Sequence, residues 1–161
     1  MRQVRQPPPR LNPHELFKRR VELERLTDPF AILGVHWTDH AKTIQASYTQ
    51  QVEALLPQRG EAMEEDCVGI RDRLMHARDQ LATQPLRHQA RLSFISMKEF
   101  ENVLSLYTSQ IKILMWRNAH ERAEEICLRA LELDPGHVQA ARALQKIKRH
   151  RDNPLVELKL E

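Results

Sequence analysis

Apolar residues recur every three or four positions over most of the chain, which is the period of an α-helix with one buried face. The spacing predicts a helix over about 39–56, capped by Thr38, and a second helix over 61–82. Pro57 and Gly60 predict a turn between them, so we expect an antiparallel hairpin with facing stripes. The stripes comprise Ala41, Ile44, Tyr48, Val52 and Leu55, then Met63, Cys67, Ile70, Leu74, Ala77 and Leu81.

The same period predicts three further helices in the second half of the chain, over about 97–117, 119–133 and 136–150. Each is amphipathic, so each is expected to bury one face against its neighbours. The expected buried residues are Phe100, Leu104, Tyr107, Ile111 and Leu114; then Ala123, Ile126, Cys127, Ala130 and Leu131; then Val138, Ala141, Leu144 and Ile147.

Capping and breaking residues bound these helices. Ser96 and Glu99 have the spacing of a capping box, which predicts the start of helix 97–117. Asn118 marks a tight turn, and the run at 134–136, Asp-Pro-Gly, ends the following helix. Pro85 is expected to interrupt the chain before a short segment over 86–92.

Two helix starts precede the hairpin. The run at 12–15, Asn-Pro-His-Glu, combines an N-cap, a proline in the first turn and an acid at the third position, which predicts a basic amphipathic helix over 13–26. Asp28 and Pro29 begin a shorter helix over 29–33, and Gly34 ends it. The first helix is expected to pack on the following domain through Leu16, Phe17, Val21 and Leu26.

These patterns predict an all-α protein with a tail at each end. Residues 1–11 are rich in Pro and Arg and predict a disordered tail, either inert or a ligand for an aromatic groove. Helical domains follow over 12–92 and 93–151. The tail over 152–161 alternates apolar and charged residues, so it is either a frayed end or a strand that pairs with a partner edge or a second copy.

Composition and charge limit the class of protein to which this chain can belong. Apolar residues make up 41% and charged residues 29%, a globular balance. The net charge is +3, with the excess in 1–26 and 102–161 rather than on one face. No run is long and apolar enough to cross a bilayer and no secretory signal is present, so we expect a cytoplasmic protein. Cys67 and Cys127 are expected to be buried, reduced thiols.

One family resemblance covers residues 28–91. The run at 28–35 is Asp-Pro-Phe-Ala-Ile-Leu-Gly-Val, and Ile44 and Tyr48 follow on the next helix. Ala77 and Leu81 have the spacing of an Ala-Tyr-x-x-Leu motif. This order resembles a chaperone J-domain, in which an Arg corresponding to Arg87 opens the last short helix. The resemblance departs at Arg78 and Ala90, which replace tyrosines of the family.

The resemblance implies a lost activity. J-domains stimulate a partner ATPase through a His-Pro-Asp loop, and here that loop is Leu56-Pro57-Gln58. They also present a basic second helix, whereas helix 39–56 carries one Lys (Lys42) against Asp39 and Glu53. We therefore expect no stimulation of a heat-shock ATPase. The alternative is an active co-chaperone with a divergent loop.

A second resemblance covers about 104–135. Ala123, Ala130 and Pro135 have the spacing of a tetratricopeptide repeat, although Ile111 replaces a small residue of that pattern. The resemblance implies a helical hairpin capped by helix 136–150, and a protein-binding role. The candidate binding residues are Tyr107, Gln110, Leu114 and Arg117.

Enzyme chemistry has no signature in the sequence. There is no phosphate loop and no His or Cys pair with metal spacing, so we expect neither catalysis, cofactor nor metal. The predicted function is a non-enzymatic interaction module, an adaptor or chaperone-like subunit, that binds another protein or self-associates through its tail. Nucleic-acid binding through basic termini is the other alternative; Trp37 and Trp116 are expected to pack at helix ends rather than stack on bases. The densest basic cluster comprises Lys146, Lys148, Arg149 and Arg151.

Overall fold

The chain is entirely α-helical over the residues that the computed structural model describes, 11–56 and 63–153. This confirms the all-α class. The turn predicted at 57–60 and most of the tails predicted at 1–11 and 152–161 lie outside those residues; Asp152 belongs to the last helix. None of the described helices is long and apolar enough to cross a membrane. The helices are α1 (Pro13–Arg25), α2 (Pro29–Ile32), α3 (Ala41–Glu53), α4 (Glu65–Gln80), α5 (Gln84–Phe94), α6 (Met97–Trp116), α7 (His120–Leu133) and α8 (Val138–Asp152).

The predicted caps and turns are largely confirmed. The Asn12 side chain accepts a hydrogen bond from the Glu15 amide at 2.9 Å, and the Glu15 carboxylate accepts one from the Asn12 amide at 2.8 Å. The Ser96 hydroxyl accepts a hydrogen bond from the Glu99 amide. Gly34 and Asn118 adopt positive φ angles of 62° and 56°, which end α2 and α6.

Two predicted boundaries are wrong. The cap of α3 is His40 rather than Thr38, since its imidazole Nδ1 accepts from the Thr43 amide at 3.3 Å. Pro85 does not interrupt the chain but lies in the first turn of α5, where a helix needs no backbone N–H from that residue.

The described residues form two compact units, 1–90 and 91–161, and the division falls within α5. In the first unit α4 is central, and α1, α2 and α3 pack on it. The predicted packing of the basic helix α1 is thus confirmed. The buried core comprises Leu16, Leu23, Phe30, Ile32, Leu33, Ile44, Leu55, Cys67, Ile70, Leu74, Ala77, Leu81 and Ala90.

Polar side chains hold the short helix of the first unit. The Leu33 carbonyl, at the end of α2, accepts from Ser47 Oγ and from Gln51 Nε2, both at 2.6 Å. Arg73 on α4 donates to the carbonyls of Leu23 and Leu26 at the end of α1. Carbonyls in the last turn of a helix lack the amides of a continued helix, so these side-chain bonds, added to the one from the Leu26 amide to the Leu23 carbonyl, fix α1 and α2 on the hairpin.

In the second unit α7 packs against both α6 and α8. Ala123, Cys127 and Ala130 of α7 are fully buried, and small side chains there let the helices approach closely. His137 caps α8 by accepting from the Ala140 amide at 3.1 Å, and its Nε2 lies 3.2 Å from the hydroxyl of Thr108 on α6. The imidazole thereby ties the start of α8 to α6.

The predicted apolar stripes need correction at their edges. Phe17, Ala41, Val138 and Ala141 are exposed instead of buried. In α8 the buried residues are Ala140 and Ile147. Val138 and Ile147 are nine residues apart, about 900° around a helix at roughly 100° per residue, and therefore lie on opposite faces.

Candidate protein-binding surface

The four predicted binding residues lie along α6 and its C-cap at intervals of three and four residues, and Gln110 and Leu114 line the same groove. Tyr107 and Leu114 are partly buried and pack against the core of the second unit. Gln110 is partly buried, and Arg117 is exposed at the C-cap of α6. Half of the predicted set therefore stabilises the fold as well as reaching its surface.

An apolar row that the sequence analysis missed lies on the opposite side of α6 from the buried Ile111. Leu106 is 56% exposed, Ile113 51% and Trp116 82%. The prediction that Trp116 packs at a helix end is therefore wrong, whereas Trp37 does pack against the first core. Leu106 and Ile113 are seven residues apart, about two helical turns, so they share a face. We call Leu106, Ile113 and Trp116 the α6 row.

A groove of about 380 Å³ adjoins the α6 row, between α6 and α7. Its polar lining includes Gln110, whose side-chain oxygen Oε1 is buried and accepts no hydrogen bond from the described residues. An unsatisfied buried acceptor is costly, and a donor from a bound molecule would satisfy it. The groove is lined by Gln110, Ile113, Leu114, Arg122, Glu125, Ile126 and Arg129.

A second groove, of about 390 Å³, lies between α6 and α8. Its charged lining residues are all cations: Lys112, Arg142 and Lys146. Within residues 11–56 and 63–153, none of the three forms an ion pair. The remaining lining residues are Thr108, Ile111, Met115, Gln139 and Ala143. We call this the α6/α8 groove.

The predicted basic cluster is divided by the structure. Lys146 lines the α6/α8 groove, whereas Lys148 and Arg149 are exposed elsewhere on α8. Arg151 forms an ion pair with Glu124 of α7. Lys148, two residues from Lys146, points in a different direction from it, so the four side chains do not share one environment.

In the first unit, the residues that carry the J-domain resemblance have two kinds of environment. Ala77 and Leu81 are buried, and Arg87 donates to the Leu81 carbonyl at 3.1 Å. Leu56, at the start of the altered loop, is 49% exposed. Pro57 and Gln58 lie outside the described residues.

Arg78, at the position where the J-domain pattern has a tyrosine, makes an aromatic contact. Its guanidinium carbon lies 4.6 Å from the centre of the Tyr48 ring, a cation–π distance. A hydrogen bond to Asp79 raises the pKa of Arg78, so the side chain stays charged. The structured helix α3 carries Lys42 and Glu53, while Asp39 precedes it and accepts from the His36 amide.

Reactive groups are few in the described part of the chain. Cys67 and Cys127 are buried thiols, as predicted. Burial, together with the nearby Glu124 carboxylate, raises the pKa of the Cys127 thiol. Across the described residues no three His, Cys, Asp or Glu side chains are arranged to hold a metal ion.

Comparisons with known proteins add no family to these observations. The chain matches no protein-family model, no curated protein and no solved structure. Both family resemblances stay predictions, based on the residues quoted above. The candidate site therefore rests on the α6 row and the two grooves of the second unit.

Proposed function

We propose that this protein is a non-enzymatic interaction module that binds another protein through the α6 row and the adjoining α6/α7 groove. The observation that carries the proposal is the exposure of Leu106, Ile113 and Trp116 on one face of a helix whose other face is core. Single exposed apolar residues are ordinary on protein surfaces, but a row of three on one helix is typical of an interaction surface.

The energetics favour burial of this row. A tryptophan buries about 150–250 Å² when covered, so burial of Trp116 alone stabilises a complex by roughly 4–6 kcal/mol before the costs of association. The neighbouring Arg122 and Arg129 add a second residue type that is enriched in binding hot spots. Gln110 Oε1 offers an acceptor that a partner donor would satisfy.

The test compares apolar-to-polar changes at exposed positions inside and outside the row. The variant Ile113→Ser together with Trp116→Ser disrupts the row, and Leu128→Ser changes an exposed leucine on α7 that lines neither groove. Affinity purification from the native cell should recover one stoichiometric protein with wild type and with Leu128→Ser, and lose it with the double variant. Retention by the double variant, or equal loss in both, contradicts the proposal.

Part of the proposal is that the first unit is a J-like scaffold without co-chaperone activity. Support comes from Leu56 in place of the family histidine and from a second helix with a single cation, Lys42. Single-turnover ATP hydrolysis by a heat-shock ATPase should be unchanged when this protein is added. A rise in the rate that disappears in Pro57→Ala would instead identify an active, divergent J-domain.

We keep the cytosol as the proposed location and nucleic-acid binding as the less favoured function. The ion pair of Arg151 with Glu124 and the separation of Lys146 from Lys148 argue against one continuous basic face. A salt titration of single-stranded and duplex DNA binding should show weak affinity with a shallow slope. A steep slope would favour the nucleic-acid alternative.

A further inference from the structure

We infer that the α6/α8 groove binds an acidic, amphipathic segment of a partner protein. The inference shares with the proposed function the view that the second unit binds proteins, but it concerns a different surface. Three observations on the groove carry it: its charge, its apolar floor and the spacing of its cations.

The charge of the groove is unbalanced. Lys112 on α6 and Arg142 and Lys146 on α8 are exposed at its rim, and no carboxylate lines it. By contrast, the groove between α6 and α7 has Glu125 beside its two arginines, and an adjoining groove that shares Lys112 has Glu101. Three like charges without internal partners raise the local positive potential, which attracts an acidic segment and repels a basic one.

The floor of the groove is apolar. Ile111 is almost fully buried beneath it, and Met115 and Ala143 are partly buried on its walls. A volume of about 390 Å³ has room for a few side chains rather than for a folded domain. A purely polar anion would leave this floor hydrated, so the matching ligand carries apolar side chains between its acids.

The cations on α8 set a spacing for those acids. Arg142 and Lys146 are four residues apart, so their backbone positions differ by about 6 Å along the helix axis. Acids four apart on a helical ligand, or two apart on an extended one, have a similar separation. Met115 on the wall can adapt to a helical or an extended ligand, because its unbranched side chain repacks easily.

The experiment measures fluorescence anisotropy of three labelled twelve-residue peptides added to the full chain. The probe repeats Glu-Leu-Leu-Glu; one control repeats Lys-Leu-Leu-Lys, and the other replaces each Leu of the probe with Ser. We expect the Glu-Leu probe to bind at least tenfold more tightly than either control. We also expect its affinity to fall as salt rises, since the rim charges are exposed.

Charge-matched variants locate the binding. The triple variant K112E/R142E/K146E reverses the charge of the groove, and K18E/K98E/K148E makes the same change in net charge on exposed residues that do not line it. The groove variant should bind the probe at least tenfold more weakly than wild type, whereas the control variant should change the affinity by less than threefold. Circular dichroism confirms that both variants fold.

Other results overturn the inference. Equal losses in the two triple variants would mean unspecific attraction. Probe binding that appears only after removal of 154–161, a segment containing Glu157 and Glu161, would identify this chain's own segment as the ligand. Groove-dependent binding of a fifteen-nucleotide single strand without peptide binding would favour a nucleic acid. If the peptide fails while Ile113→Ser with Trp116→Ser still releases the native partner, the proposed function survives and this inference does not.

Discussion

The buried arginine of the second unit gives the sharpest test of how this fold is stabilised. The side chain of Arg91 is fully buried, and its guanidinium donates to the Glu132 carbonyl at 2.8 Å. It also donates twice to the Glu132 carboxylate, at 3.3 Å each. The substitution Arg91→Met keeps an unbranched apolar chain of similar length and removes these hydrogen bonds.

The expected loss follows from the partner that is left behind. Removing one member of a buried ion pair costs about 3–5 kcal/mol, because the remaining charge is uncompensated. The Glu132 side chain is 17% exposed, so water can reach its carboxylate and lower that cost. We therefore expect the second unit to lose about 2–3 kcal/mol, most of it from the abandoned carboxylate and carbonyl.

Native-state hydrogen exchange of the α7 amides measures this loss within the second unit alone. A loss of about 2–3 kcal/mol corresponds to roughly 30- to 150-fold faster exchange, since each 1.4 kcal/mol is a factor of ten. The double substitution Arg91→Met with Glu132→Met should recover part of the stability, because it also removes the unpaired charge. Arg129→Met, on an exposed part of α7, is the matched control.

Two outcomes would refute this reasoning. Exchange within threefold of wild type in Arg91→Met would mean that the pair contributes little net stability. A double variant as unstable as the sum of the single variants would mean that the carboxylate is not the origin of the cost. In the first case Arg91 would act through packing of its alkyl chain rather than through charge.

Three smaller predictions follow from local geometry. Asn118→Ala should lower the free energy of unfolding by about 1 kcal/mol because of its positive φ angle, and Asn118→Gly should not; equal thermal midpoints would contradict this. Cys127 is fully buried and burial raises the pKa of its thiol, so iodoacetamide should alkylate it far more slowly in the native protein than in urea, as read by mass spectrometry. Ala130→Leu should destabilise the fully buried contact of α7 by about 1–3 kcal/mol in denaturant unfolding, whereas exposed Ala141→Leu should be close to neutral.

The sequence predicts the helices well where local chemistry decides them. The capping box at Asn12, the end of α2 at Gly34 and the turn at Asn118 depend only on nearby residues, and all three predictions are confirmed. The predicted start of α3 is wrong although it too depends on nearby residues. His40 and Thr38 can both cap a helix, and here the His40 imidazole reaches the Thr43 amide. Local rules rank such candidates but do not separate them.

The buried faces were harder to predict than the helices. Spacing by threes through Val138, Ala141, Leu144 and Ile147 drifts around the helix, since three residues fall about 60° short of a full turn. The observed face combines threes and fours, at Ala140, Ala143, Leu144 and Ile147. A hydrophobic residue at the edge of a stripe is therefore assigned correctly only once the neighbouring helices are known.

The candidate surfaces show why a binding site escapes a reading of one helix at a time. Lys112 and Lys146 are thirty-four residues apart in sequence and carry no motif, yet both line one groove because α6 packs on α8. The α6 row, by contrast, could have been predicted from the sequence, because Leu106 and Ile113 repeat the helical period on the face opposite Ile111. A helix with apolar residues on two faces has one face left for a partner when its own unit covers the other. Sequence periodicity can therefore indicate that a partner exists, while the charges that select the partner emerge only when the helices are brought together.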